Sequence, residues 1–141
     1  MASAIIHICV AKKIGERLNK SSKDYYLGTI APDISKEIGE TKYKSHFLEN
    51  SIKSNVPNIE LFLEKYKKDL KSDFTLGYFI HLYTDKLWFD HFMDNFTINS
   101  TIRLMDGTFL KCNDEEIVSI IYSDYANINI ALIDYYELDL S

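Results

Sequence analysis

Between Phe74 and Phe92 the chain is apolar on nearly every side of a helix, so this segment belongs at the centre of whatever fold it joins. Two residues contradict that character, His81 and Asp85, within Phe79-Ile80-His81-Leu82-Tyr83-Thr84-Asp85-Lys86-Leu87-Trp88-Phe89. A spacing of four puts both on one helix face, about 6 Å apart. Burying an unpaired carboxylate there costs several kcal/mol, so the pair requires compensation, and a metal ion is one of few partners that serves both groups at once.

The flanking sequence supplies more helices. Ile6, Val10, Ile14 and Leu18 fall at helical spacing from Ser3 to about Asn19, with Lys12, Lys13, Glu16 and Arg17 outside, and His7 points inward with the apolar set. A short helical turn over Ser22–Leu27 leads through Gly28 to Ala31-Pro32-Asp33, where proline is expected to stop the helix and leave Asp33 on a connection. Ile34–Tyr43 reads as a surface loop before a helix carrying Ser45-His46-Phe47-Leu48. Val56-Pro57-Asn58 starts another helix, whose basic run from Lys65 to Lys71 is its solvated face. Ser72-Asp73 reads as the N-cap of the central helix.

After the central helix the periodicity changes. Thr101–Met105 and Thr108–Cys112 alternate weakly about Asp106-Gly107, a strong hairpin signal. Asn113 and Glu116 resemble a capping box for a C-terminal helix to about Tyr136, with a break expected near Asp124–Asn127. The expected fold is therefore mainly α, a compact multi-helix bundle around a central helix over about 74–92, with a small β-hairpin near 101–112. At 141 residues, one domain over 1–141 is the expectation.

A formal charge of −5 argues against stable nucleic-acid binding, which rewards clustered Lys and Arg. Cys9 and Cys112 match no zinc-finger or disulfide spacing and read as buried thiols. No secretory leader is evident, and no segment approaches the roughly 20 apolar residues of a transmembrane helix. A cytoplasmic protein is the expectation.

Of the four histidines, His7, His46, His81 and His91, helix periodicity buries His7 and His81. One buried imidazole alone is usually satisfied by a hydroxyl or a carbonyl. Here Asp85 shares a face with His81, and the Ala-Pro-Asp turn presents Asp33, so one core can receive three imidazoles and two carboxylates. Nitrogen and carboxylate oxygen without thiolate suit zinc, iron, manganese or nickel.

The segment around His7, the run Tyr26-Leu27-Gly28-Thr29-Ile30-Ala31-Pro32-Asp33, the triplet Ser45-His46-Phe47, and Gly77-Tyr78-Phe79-Ile80-His81-Leu82-Tyr83-Thr84-Asp85 resemble the zinc-dependent phospholipase C superfamily, which includes single-strand-specific nucleases related in fold. The order His, Asp, His, His-x-x-x-Asp carries the resemblance, over residues from about 5 to 95. It implies a helical fold with a cluster of up to three metals. By that analogy Asp33, His46, His81 and Asp85 hold one ion, and Asp85 bridges to a second that also takes His7. The superfamily completes its second ion with the amino group and carbonyl of a mature N-terminal residue; six residues precede His7 here. A third ion takes a histidine ten residues after the motif histidine, the spacing of His91. Along a continuous helix, ten residues mean about 15 Å of rise and a rotation of about 80° off the His81 face.

The implied cofactor is zinc, one or two ions, with other divalent transition metals compatible. The implied reaction is hydrolysis of a small-molecule or lipid head-group phosphoester by a metal-activated water. Asp33, on the rim of the cluster, is the candidate catalytic proton acceptor, or alternatively a cap following Pro32. An HD-type metal phosphohydrolase is a competing reading, although the only neighbouring pair, Asp90-His91, is in reverse order. A non-catalytic helical protein retaining a structural metal is another.

Overall fold

The computed structural model describes residues 2–141. Among the described residues six α-helices run in the order α1 (Ala4–Leu18), α2 (Lys23–Ile34), α3 (Lys42–Ser45), α4 (Ile59–Tyr66), α5 (Asp73–Leu87) and α6 (Asp114–Tyr135), with strands β1 (Thr97–Ile98), β2 (Thr101–Arg103) and β3 (Phe109–Lys111) before the last. The fold is mainly α with a small antiparallel ribbon, as the periodicities predict. Among the described residues no helix is long and apolar enough to cross a membrane.

The helix starts follow local chemistry. Ser3, Ser22, Thr41, Asn58 and Asn113 each accept a backbone N–H of the first turn through their side chains, capping α1, α2, α3, α4 and α6. At α6 the box is complete, because the Asn113 side chain also donates to Glu116 Oε1 over 2.8 Å. Ser72 makes no such bond at the start of α5. Instead Asp73, in the first turn, accepts from Lys20 Nζ over 2.7 Å and from Ser22 Oγ over 2.6 Å, tying α5 to the α1–α2 turn.

Helices α2 and α5 form the centre, with α1 against both, α4 against α5 and α6 against α1. Two glycines set the α2–α5 approach. A Cβ on Gly28 would stand 2.0 Å from the Phe74 carbonyl oxygen, and one on Gly77 would stand 2.1 Å from the Tyr25 carbonyl oxygen. Only hydrogen fits between these backbones. Ala11, Tyr25 and Ile80 pack as a buried cluster beside the crossing, where the Tyr25 hydroxyl donates to the Ala11 carbonyl over 2.8 Å.

Several expectations need correction. Pro32 does not end α2; the helix continues to Ile34, so Asp33 sits in its last turn and not on a connection. The proline lacks one N–H, but its ring is fully buried, and packing there offsets the missing hydrogen bond. The expected loop over 34–43 contains a 3₁₀ turn, Ser35–Ile38, and the start of α3. α3 ends at Ser45, leaving His46 at the C-cap and Phe47 at φ 52°, so the Ser45–Leu48 helix does not form. α6 runs unbroken through Asp124–Asn127, since Tyr125 alone of that run faces inward and its polar neighbours are solvated. The central helix is α only to Leu87, and Trp88–Phe92 forms a π-helical turn.

The hairpin pairs Thr101 with Lys111, Ile102 with Leu110 and Arg103 with Phe109, and β1 adds a third strand. Gly107 takes the left-handed conformation, φ +86°, that this turn requires. Both cysteines are buried and free.

Candidate metal centre

The crossing of α2 and α5 builds the floor of the site. His81 lies one turn beyond Gly77, and its Nδ1 is 2.6 Å from the carbonyl oxygen of Thr29. A carbonyl only accepts, so Nδ1 carries the proton and Nε2 presents its lone pair inward. α1 brings His7 over this ring, the two imidazoles stacking with centroids 3.6 Å apart. His46 arrives from the end of α3, its Nδ1 2.9 Å from Ser45 Oγ, and Asp33 from the end of α2.

The donor atoms converge. His46 Nε2 is 3.3 Å from His81 Nε2, 3.2 Å from Asp33 Oδ1 and 3.6 Å from Asp85 Oδ2. His81 Nε2 is 3.7 Å from Asp33 Oδ1 and 3.6 Å from Asp85 Oδ2. Bonds of about 2.0–2.1 Å to a tetrahedral zinc separate neighbouring ligand atoms by roughly 3.3 Å, so these spacings suit such an ion. Two sets, His46, His81 and Asp85 together with His7, Asp33 and His81, bring their ligand atoms close enough to hold a metal.

Burial sharpens the point. His7 and His81 are wholly buried, Asp85 is 1 % exposed, and the Asp33 side chain keeps 18 %. Among the described residues, neither nitrogen of His7 nor Oδ2 of Asp85 has a hydrogen-bond partner. His7 Nε2 lies 3.2 Å from Asp85 Oδ1 without hydrogen-bond alignment, while the backbone N–H of Ala2 donates to that oxygen over 3.1 Å. Orphaned lone pairs at this depth are costly unless a cation meets them.

Protonation favours the same reading. Burial lowers the pKa of His7, outweighing the opposing influence of Asp85, and keeps the ring neutral. Burial alone would raise Asp85, but the neighbouring His7 and His81 prevail and hold it well below the usual carboxylate range. Asp33 is likewise lowered: His46, with His81 and His7 nearby, outweighs desolvation. Neutral imidazole and ionised carboxylate are the metal-binding forms.

The fold thus gathers His7, Asp33, His46, His81 and Asp85 and leaves out His91, which is exposed on the π-helical turn. Asp33 and His46 open onto a cavity of about 510 Å³. Tyr122, Tyr125 and Asn129 of α6 form one wall of it, and Ala2 and Ser3 another part. Nothing in the α6 sequence signals this role beyond three polar residues at i, i+3 and i+7 on one face. The rings of Tyr78, Tyr83 and Trp88 do not line this cavity. Tyr78 faces a separate aromatic cavity with Phe47, Phe62 and Tyr66. The Thr84 hydroxyl is occupied by the Ile80 carbonyl over 2.7 Å, and it is the Thr29 carbonyl that orients a cluster imidazole.

Comparison with curated proteins and with solved structures finds no match. The model of the zinc dependent phospholipase C family matches residues 2–131. That match extends past the His-x-x-x-Asp segment through the β-ribbon and most of α6, where residue-by-residue resemblance is no longer visible. With nearly the whole chain covered, and with the clustered histidines and aspartates such a family requires, the chain belongs to the zinc-dependent phospholipase C family.

Proposed function

We propose that this chain is a zinc-dependent hydrolase of phosphoesters. Asp33, His46, His81 and Asp85 would hold one ion, and Asp85 would reach a second together with His7. The observation that carries the reading is the set of Nε2 and carboxylate contacts at 3.2–3.7 Å, buried at the floor of a cavity open to solvent. A purely structural site is closed, whereas a catalytic one keeps a face open.

Zinc bound there supplies a water of lowered pKa and neutralises charge on the phosphoryl group. The protein's own part is positional and acid–base. The Thr29 carbonyl fixes the His81 tautomer, and Ser45 restrains His46. Asp33, ionised and partly exposed at the cavity floor, accepts the proton of the attacking water. His7, His81 and Asp85, sealed from solvent, keep the ligand set rigid.

The test is metal analysis of protein purified without added metal, with hydrolysis of bis-p-nitrophenyl phosphate before and after chelation. Zinc in the wild type, with activity abolished by chelation and restored by zinc, is expected. A folded wild type that contains and binds no zinc would sink the reading, and zinc without hydrolysis would reduce it to a structural site.

A further inference from the structure

The cavity above Asp33 and His46 has a charge pattern that the metal ligands do not explain. Lys36, in the 3₁₀ turn after α2, and Lys42, the first residue of α3, both line it. Asp33 is the only acidic residue among the described lining residues. Glu37 and Glu40, near in sequence, do not line it. Among the described residues Lys36 pairs with no carboxylate, and Lys42 makes one hydrogen bond, to Asn55 Oδ1 over 3.3 Å, leaving two of its three ammonium protons for a ligand. The opposite wall offers Tyr122 and Asn129, neutral hydrogen-bonding groups. At about 510 Å³ the cavity has the size of a small-molecule site.

Zinc held by the cluster would supply the counter-charge for the scissile phosphate, which leaves the two lysines of the cavity lining for a further anionic group. We propose that Lys36 and Lys42 form a second anion subsite, and that the preferred substrate is a phosphoester carrying another phosphate group beside the scissile one. This rests on the phosphoester hydrolase reading. A head group bearing only a quaternary ammonium meets the wrong charge here, and a neutral one leaves both lysines unused. Since both ammonium groups reach water, the selectivity is moderate and screened by salt.

Two matched substrate pairs, each differing by one phosphate, test the proposal and separate lipid from nucleotide sources. The first is dihexanoyl phosphatidylinositol 4-phosphate against dihexanoyl phosphatidylinositol. The second is the 5′-p-nitrophenyl ester of thymidine 3′,5′-bisphosphate against that of thymidine 5′-phosphate. With zinc-loaded protein, kcat/KM favours the phosphorylated member of at least one pair about fivefold or more at low salt. Lys36→Ala and Lys42→Ala each reduce that ratio about threefold, and the double variant removes it. Both side chains are exposed, and unchanged circular dichroism melting is expected. A ratio near one in both pairs, or a preference that survives the double variant, overturns the subsite. Calorimetric titration with inorganic pyrophosphate gives an answer independent of turnover. Binding weakened about threefold by each variant supports the subsite even if no ester is cleaved, in which case the hydrolase reading alone fails. Binding that the variants leave unchanged overturns the subsite whatever the activity.

Discussion

Nδ1 of His81 lies 2.6 Å from the carbonyl oxygen of Thr29, on the helix that crosses it at Gly77. One contact therefore links the packing of α2 on α5 to the orientation of the imidazole that faces both carboxylates. Any change that separates the two helices also releases the ring.

Gly77→Ala tests that linkage. Its Cβ would stand 2.1 Å from the Tyr25 carbonyl oxygen and 2.9 Å from the Thr29 nitrogen, both backbone atoms that cannot swing aside. Alanine gains about 1 kcal/mol of helix propensity, but forcing the helices apart costs about 3 kcal/mol. A net loss of about 2 kcal/mol in urea denaturation is expected, with zinc affinity reduced at least about tenfold by loss of the oriented imidazole. Wild-type affinity in the folded variant would break the proposed link between crossing and site.

His91→Ala and His81→Ala should behave oppositely. His91 is exposed on the π-helical turn, so its replacement is expected to leave zinc content unchanged. Replacement of His81, or Asp85→Asn, removes a donor from the buried set, and zinc content measured by mass spectrometry should fall by at least one ion per chain. Equal zinc loss in His91→Ala would require a different ligand assignment.

The metal-free protein should be acid-labile in two stages. Burial places the folded pKa of His7 below its ordinary 6.5, so as pH falls through 6.5 the unfolded chain takes up a proton that the folded chain refuses. This contribution is fully present above that value and is lost below it. Asp33 and Asp85 have folded pKa values below 3.8, so their contributions persist above about 3.8 and are lost at lower pH. Urea midpoints after chelation should be level from pH 8 to 7 and fall from 6.5 to 5. In His7→Asn the upper fall should vanish; an unaltered slope would assign it to another group.

Tyr25→Phe separates stability from the site. The hydroxyl donates to the Ala11 carbonyl in a buried contact, and burial pushes its pKa up to about 12. Removing it deletes one buried hydrogen bond at a cost of about 1 kcal/mol, since the Ala11 carbonyl keeps its place in the backbone ladder of α1, while the donor atoms stay where they are. A lowered denaturation midpoint with unchanged zinc stoichiometry is expected.

What was legible in the sequence follows from the range of the signal. The i,i+4 relation of His81 and Asp85, and the inward face of α1 carrying His7, are local periodicities that tertiary packing preserved. Asp33 was recognised but misplaced, because Pro32 reads as a helix stop and its burial against neighbouring helices has no local signature. The end of α3 before His46 was missed for a similar reason: Phe47 takes a left-handed conformation that an aromatic residue seldom adopts. The cavity wall from α6 was invisible, since it depends on contacts such as Ser3 Oγ to Asn129 Oδ1, at 2.6 Å and 126 residues apart.

That last contact sets an order of assembly on the ribosome. All five clustered donors have been synthesised once Asp85 has been added, whereas the wall that Asn129 helps to form comes more than forty residues later. A nascent chain therefore carries all five donors, with Lys36 and Lys42, before it has the α6 wall, so enclosure of the cavity is the last step the growing chain can take.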